Sequence, residues 1–332
     1  MRPIQHLSPT SISTWVRSQN EFYLQYLADD RPERIAQTLP MSIGSAFDAY
    51  TKAYLYEILF GKGKDPKFEF DNLFCSQVES HNRDWAFVHG QFAFDCYKNS
   101  GALNDLLIQL KDAIGEPRFE LEIKGVIDGK REGVTRNIGG VSFLGKPDLF
   151  YMNKYGTYVV LDWKVNGWLS KYKKYPMKGY IRKRGTDGKL SKQHPEAMLG
   201  LHGGEMINIA HYLETLDTDW ARQLSIYSWL CGSEIGNEFI AGIDQLTCEG
   251  GDTNKFPTVE ISEHRLRVSP NHQWCIFAEA ELVWEIVRSD HYFRDVTLEE
   301  SQKRCEILNQ QAKALSGGAN EADKWFAKTT RG

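Results

Sequence analysis

Two aspartates and a lysine stand in stretches that have no local use for charge. Asp148 lies in GKPDLFYM, and Asp162 and Lys164 lie in GTYVVLDWKVNG. Both runs are rich in the β-branched and aromatic residues that build strand interiors, where charges are rare. Alternation puts Asp162 and Lys164 on one strand face with Val160 and Asn166, and sends Val159, Leu161, Trp163 and Val165 to a buried face. The NKYG between the runs is a short turn, so the two pair as a hairpin and Asp148 meets Asp162 across it. Two carboxylates with an ammonium form an oxygen-rich place for a hard divalent cation, Mg2+ or Mn2+, with the Trp163 backbone carbonyl as a further ligand. A divalent cation beside a lysine suits phosphodiester hydrolysis, where charge builds on phosphate. An isolated D-x-K is otherwise an ordinary ion pair worth about 0–1 kcal/mol, so the rest of the chain must decide.

The elements that would position these residues follow from periodicity. LSPTSISTWVRSQNEFYLQYL reads as a helix capped by Ser8 with Pro9 in its first turn, and Ile12, Trp15, Val16, Phe22, Tyr23 and Tyr26 on its apolar side. SIGSAFDAYTKAYLYEILFG is a second helix, with Phe47, Tyr50, Tyr54 and Ile58 inward and Gly61 as its stop. Residues 62–117 read as mostly helical. RFELEIKGVI then alternates, with Phe119, Leu121 and Ile123 opposite Glu120, Glu122 and Lys124. The hairpin strands follow, then an irregular stretch over 165–215, then a helix in DTDWARQLSIYSWLCG. EFIAGIDQLTC and FPTVEISEHRLRV are two more strands. The remainder is helical, with a capping box at Thr297 and Glu300 and a polar tail after Leu315. This is one α/β domain over 1–332 on a mixed sheet: a helical part over 1–117, a sheet core over 118–268 with an insertion at 165–215, and C-terminal helices over 269–332.

At 332 residues, 41% hydrophobic and 25% charged, the chain has the composition of a soluble globular protein with a sizeable core. No stretch is apolar enough for a membrane span, and MRPIQHLSPT has no apolar core of a signal peptide, so a cytoplasmic protein without a membrane partner is expected. The six cysteines form no CxxC pair, which fits reduced thiols rather than a disulfide framework or zinc site.

GKPDLF followed by VVLDWK resembles the PD-(D/E)XK nuclease superfamily. The opening helix, IGSAFDAY and RQLSIYSWL resemble, in order, the first helix, the G-x-x-x-H motif and the Q-x-x-x-Y motif of its RecB-like branch. The likeness runs from residue 7 to about 231. It implies a restriction-endonuclease-like α-β-β-β-α-β core with helical additions at both ends. It implies Asp148 and Asp162 as metal ligands and Lys164 as the catalytic lysine. Gln223 and Tyr227 become supports of the active-site strand or contacts to the DNA backbone, and Glu120 or Glu122 a further acid near the metal. Asp48 stands where the family has histidine and remains able to ligate a hard cation. Some relatives carry an iron–sulfur cluster. Ser18 replaces the first of the four cysteines needed, so no cluster is expected.

Residues 165–194 hold nine Lys or Arg against one acid, Asp187. That is +8 in a chain of −4, which leaves −12 elsewhere. Trp168, Tyr172, Tyr175 and Tyr180 interleave with these charges, and GYIRKRGTDGKLSK reads as a hairpin about Asp187 and Gly188. Lys171, Lys173, Lys174, Arg182, Lys183 and Arg184 are therefore candidate DNA contacts. The expected function is metal-dependent DNA cleavage, as an exonuclease in recombination, repair or end processing, with an annealing protein or helicase as a possible recombination partner. The alternatives are a non-catalytic DNA-binding scaffold with a decayed site, and a structure- or sequence-specific endonuclease.

Overall fold

The computed structural model describes residues 4–29, 36–120, 137–138, 140–170, 172–191, 193–253 and 255–289, with two isolated positions at 303 and 306. The chain opens with α1 (Pro9–Arg17) and α2 (Gln19–Phe22), followed by a π-helical turn over Tyr23–Leu27. Ser8 and Ser11 cap α1 reciprocally. The single helix that the spacing predicts is split at Ser18, whose backbone is extended and whose hydroxyl accepts from the Glu21 N–H at 3.2 Å. Val16, expected on the apolar side, is exposed. Four helices follow: α3 (Leu39–Phe60), α4 (Phe70–Gln77), α5 (Arg83–Asn99) and α6 (Ala102–Lys111). Gly61 ends α3 at φ 96°, as its position predicts, while Ile58 is exposed rather than packed. Gly90 lets α5 press against Ala46 of α3, since a Cβ there would overlap it.

The strands are β1 (Ile114–Phe119), β2 (Asn137–Ile138), β3 (Val141–Ser142), β4 (Leu149–Met152), β5 (Tyr158–Asn166), β6 (Arg182–Gly185), β7 (Leu190–Ser191), β8 (Leu199–His202) and β9 (Glu205–Asn208). Helix α7 (Thr218–Leu230), strands β10 (Ile240–Glu249) and β11 (Thr258–Leu266), and helix α8 (Pro270–Arg288) complete the described chain. The helical part thus ends before residue 117, because β1 begins at Ile114. Glu122, Lys171, Thr297 and Glu300 lie outside the described residues, as does the C-terminal tail. Among the described residues, no helix is long and apolar enough to cross a membrane.

Seven strands form one mixed sheet in the order β1-β4-β5-β10-β11-β6-β7. Strands β1, β4 and β5 are an antiparallel meander. The chain then crosses through α7 to β10, which runs parallel to β5. A parallel pair needs such a crossover, and its helix covers a sheet face. Leu149, Leu161, Trp163 and Ile261 pack on the α3–α6 side. Phe150, Val160, Ala241 and Ile243 pack towards α7. Val160 is therefore fully buried, and the β5 face that carries Asp162 and Lys164 is covered rather than solvated.

The stretch 165–215 is more ordered than its composition predicts. The β6–β7 hairpin turns at Asp187 and Gly188 and joins the main sheet beside β11, and β8–β9 is a separate hairpin. Ion pairs hold β6 there. Arg184 is buried against Asp105 and Glu263, Arg182 reaches Asp105 at 2.6 Å, and Lys183 reaches Glu260 at 3.3 Å. The neighbouring Asp244 and Arg265 pair at 2.8 Å, fully inside the core. Acidic neighbours on β11 and α6 thus engage the charges of Arg182, Lys183 and Arg184 within the chain.

Candidate active site

The hairpin leaves a gap at one end. Pro147 has no N–H to continue a ladder, and the last β4–β5 pair is Leu149 with Leu161. Asp148 and Asp162 come next, so they face each other just beyond that pair. The Trp163 N–H has no strand partner on this edge and donates instead to Asp148 Oδ2 at 3.3 Å. In an extended strand a residue's carbonyl points to the same edge as its N–H, so the Trp163 carbonyl faces the gap.

Helix α7 closes the other side. Asp162 is buried, with Oδ2 2.5 Å from the Lys164 ammonium. Gln223 Nε2 donates to Asp162 Oδ1 at 3.3 Å, and its Oε1 accepts from Lys164 at 3.2 Å. Its Nε2 also donates to the Tyr227 hydroxyl at 3.4 Å. Gln223 and Tyr227 thus share a helix face, and Gln223 reaches β5. Gly145 permits this approach, since a Cβ there would overlap Leu230 and crowd the Tyr227 ring.

Three further residues belong here that sequence reasoning missed. Lys52, one turn beyond Asp48 on α3, is 1% exposed. Its ammonium donates to Asp48 Oδ2 at 2.6 Å, Glu120 Oε1 at 2.9 Å and Asp148 Oδ1 at 3.0 Å. Gln77, at the end of α4, donates to Asp48 and Glu120 at 2.9 and 2.6 Å. Lys146 pairs with Glu120 Oε2 at 2.7 Å. Glu120 holds its place at the end of β1 with φ at 45°, a left-handed conformation costly for a residue with a Cβ. The spacing of Asp48 and Lys52 at i and i+4 was the one available signal. The contacts of Gln77 and Lys146 left none.

The charges of the cluster are coupled. Burial lifts Asp48 to about 7 against the pull of Lys52, with Asp148 adding to the rise. Burial and the neighbouring Asp148 lift Asp162 to about 7, opposed by Lys164. Burial also works against an ionised Asp148, but Lys52 and the hydrogen bond with Asp162 outweigh it and hold Asp148 below its usual range. Lys164 loses from burial and gains more from Asp162, so it is held charged.

The donors suit a hard divalent ion. All are oxygens, and Asp48 Oδ1 is buried with no hydrogen-bond partner. A bound cation would favour the ionised forms that burial disfavours at Asp48 and Asp162. Among the described residues no group of three or more His, Cys, Asp or Glu stands ready to hold a metal, as Lys52 takes the point where Asp48, Glu120 and Asp148 converge.

Two cavities lie along β5, the smaller of them lined by residues of the cluster. One of about 230 Å³ is lined by Asp48, Gln77, Asp148 and Trp163. A larger one of about 570 Å³ lies at the end of β5, lined by Asn166, Lys174, Tyr175, Lys178 and Trp220. Lys174 and Lys178 are exposed, while Lys173 pairs with Glu249 at 2.7 Å. No family model matches the chain, and neither a curated protein nor a solved structure matches it.

Proposed function

We propose that this chain is a Mg2+- or Mn2+-dependent DNA nuclease of the RecB-like PD-(D/E)XK type, acting as an exonuclease in recombination, repair or end processing. The observation that carries the reading is the meeting of Asp48, Glu120, Asp148, Asp162, Lys164 and Gln223, which come from five separate parts of the chain, at the open end of one hairpin. The order α3, β1, β4, β5, α7, β10, with β10 parallel to β5, supports it.

Asp48, Asp148, Asp162 and the Trp163 carbonyl would hold the ion, which when bound supplies Lewis-acid polarisation of a phosphate oxygen. Lys164, being charged, stabilises negative charge on the scissile phosphate rather than taking up a proton. Gln223 fixes Asp162 and Lys164 relative to each other. Asn166 is two residues beyond Lys164 on the same strand face, about 7 Å away, so the larger cavity lies roughly one nucleotide along. Its Lys174 and Lys178 suit phosphates, and Tyr175 and Trp220 suit a base.

The Lys52 contacts favour one second reading, a non-catalytic DNA-binding scaffold in which a lysine has neutralised the acidic centre. The test is cleavage of end-labelled linear and closed circular DNA with Mg2+, Mn2+ or EDTA, beside Lys164→Ala. Metal-dependent loss of linear DNA alone, reduced at least about 100-fold in the variant, is the expected result. Cleavage of the circle would make the protein an endonuclease. Binding without cleavage would leave the scaffold.

A further inference from the structure

We infer that Lys52 is a permanent, protein-supplied cation at the acidic centre, which leaves the site room for a single divalent ion. The inference rests on the nuclease reading and concerns how that site is filled. An ammonium has three N–H donors, and each of the three on Lys52 meets a different carboxylate, at 2.6, 2.9 and 3.0 Å from Asp48, Glu120 and Asp148. With 1% exposure and no open donor, the side chain has no alternative partner in solvent. Gln77 and Lys146 brace two of these carboxylates, Asp48 and Glu120, so the centre is built around this ammonium.

A second cation cannot share that point, because like charges a few ångströms apart in a buried setting repel strongly. The oxygens that Lys52 leaves over lie on one side. Asp48 Oδ1 has no partner, Asp148 Oδ2 receives a long bond from the Trp163 N–H at 3.3 Å, and both residues line the 230 Å³ cavity with Trp163. That cavity is the place left for the ion. Lys52 is a positioning residue: it holds Asp48, Glu120 and Asp148 together and sets how many metal ions enter.

The test counts bound Mn2+ by loss of the free-ion electron paramagnetic resonance signal, in the full chain without DNA. The wild type is expected to bind one ion, Lys52→Arg one, and Lys52→Met two, with a larger Mn2+-induced rise in melting temperature for Lys52→Met than for the wild type. If Lys52→Met does not fold, the wild-type and Lys52→Arg counts still decide the matter. Two ions in the wild type, or no added ion in a folded Lys52→Met, overturns the inference. Two ions together with metal-dependent cleavage would overturn it while leaving the nuclease reading intact. No ion in the wild type would overturn both.

Discussion

At the scale of single residues, the site joins each charge to a partner that fixes it. Gln223 makes the bond most open to test. Its amide reads both Asp162 and Lys164, so Gln223→Ala loosens the pair without removing either charge. Cleavage is expected to fall by about tenfold through kcat with little change in KM, the pattern of a contact that matters mainly in the transition state. An equal fall in DNA affinity would instead make Gln223 a substrate contact. A second residue-scale prediction concerns stability. His264 is fully buried, its Nε2 lies 3.1 Å from Gln245 Oε1, and burial with the adjacent Arg265 pushes its pKa down to about 3. The unfolded chain takes up this proton near pH 6.5 and the folded chain does not, so the contribution is present above 6.5 and is lost as pH falls below it. At pH 5 the loss is about 2 kcal/mol. Urea unfolding of the wild type against His264→Leu across pH 5–7 measures it, and parallel profiles for the two would count against it.

At the scale of elements, stability rests on close approaches and on buried ion pairs. Asp244 accepts from the Tyr97 hydroxyl at 2.5 Å and from Arg265 at 2.8 Å, which ties α5 to β10 and β11. Removing one partner strands a buried charge, so Asp244→Ala is expected to cost about 3–5 kcal/mol in denaturant unfolding. Gly145→Ala tests the seat of α7. An added methyl drives against Leu230 and Tyr227 and should cost about 1–3 kcal/mol. Because Tyr227 and Gln223 share that helix, activity should drop as well; full activity in this variant would show that α7 can shift without disturbing Asp162.

For the whole molecule, charge is sorted by place. The basic stretch after β5 divides in two. Arg182, Lys183 and Arg184 hold β6 in the sheet, while Lys174 and Lys178 stand at the cavity at the end of β5. If DNA runs through that cavity, the double variant Lys174→Ala/Lys178→Ala weakens binding and lowers the slope of log K against log salt by about 1.4–1.8, from about 0.7–0.9 per phosphate contact. Fluorescence anisotropy with a short oligonucleotide at several salt concentrations reads this. An unchanged slope would place the DNA elsewhere.

Much of this architecture is legible along the chain, because helical and strand periods are local properties. The Asp148–Asp162–Lys164 hairpin, the α7 face that carries Gln223 and Tyr227, the Ser8 and Gly61 helix ends and the Asp187–Gly188 turn all follow from neighbours within a few residues. Glu120 was legible only as one of two alternating acids. Tertiary structure alone decided that it turns inward, that Lys52 is a buried centre rather than one more polar residue on α3, and that Arg184 is a core ion pair rather than a surface charge. The partners of Lys52 stand 68 and 96 residues away, apart from Asp48, and those of Arg184 stand 79 away. No periodicity spans such separations. Which charges meet was settled by how the helices pack on the sheet, where burial makes an unpaired charge too costly to leave alone.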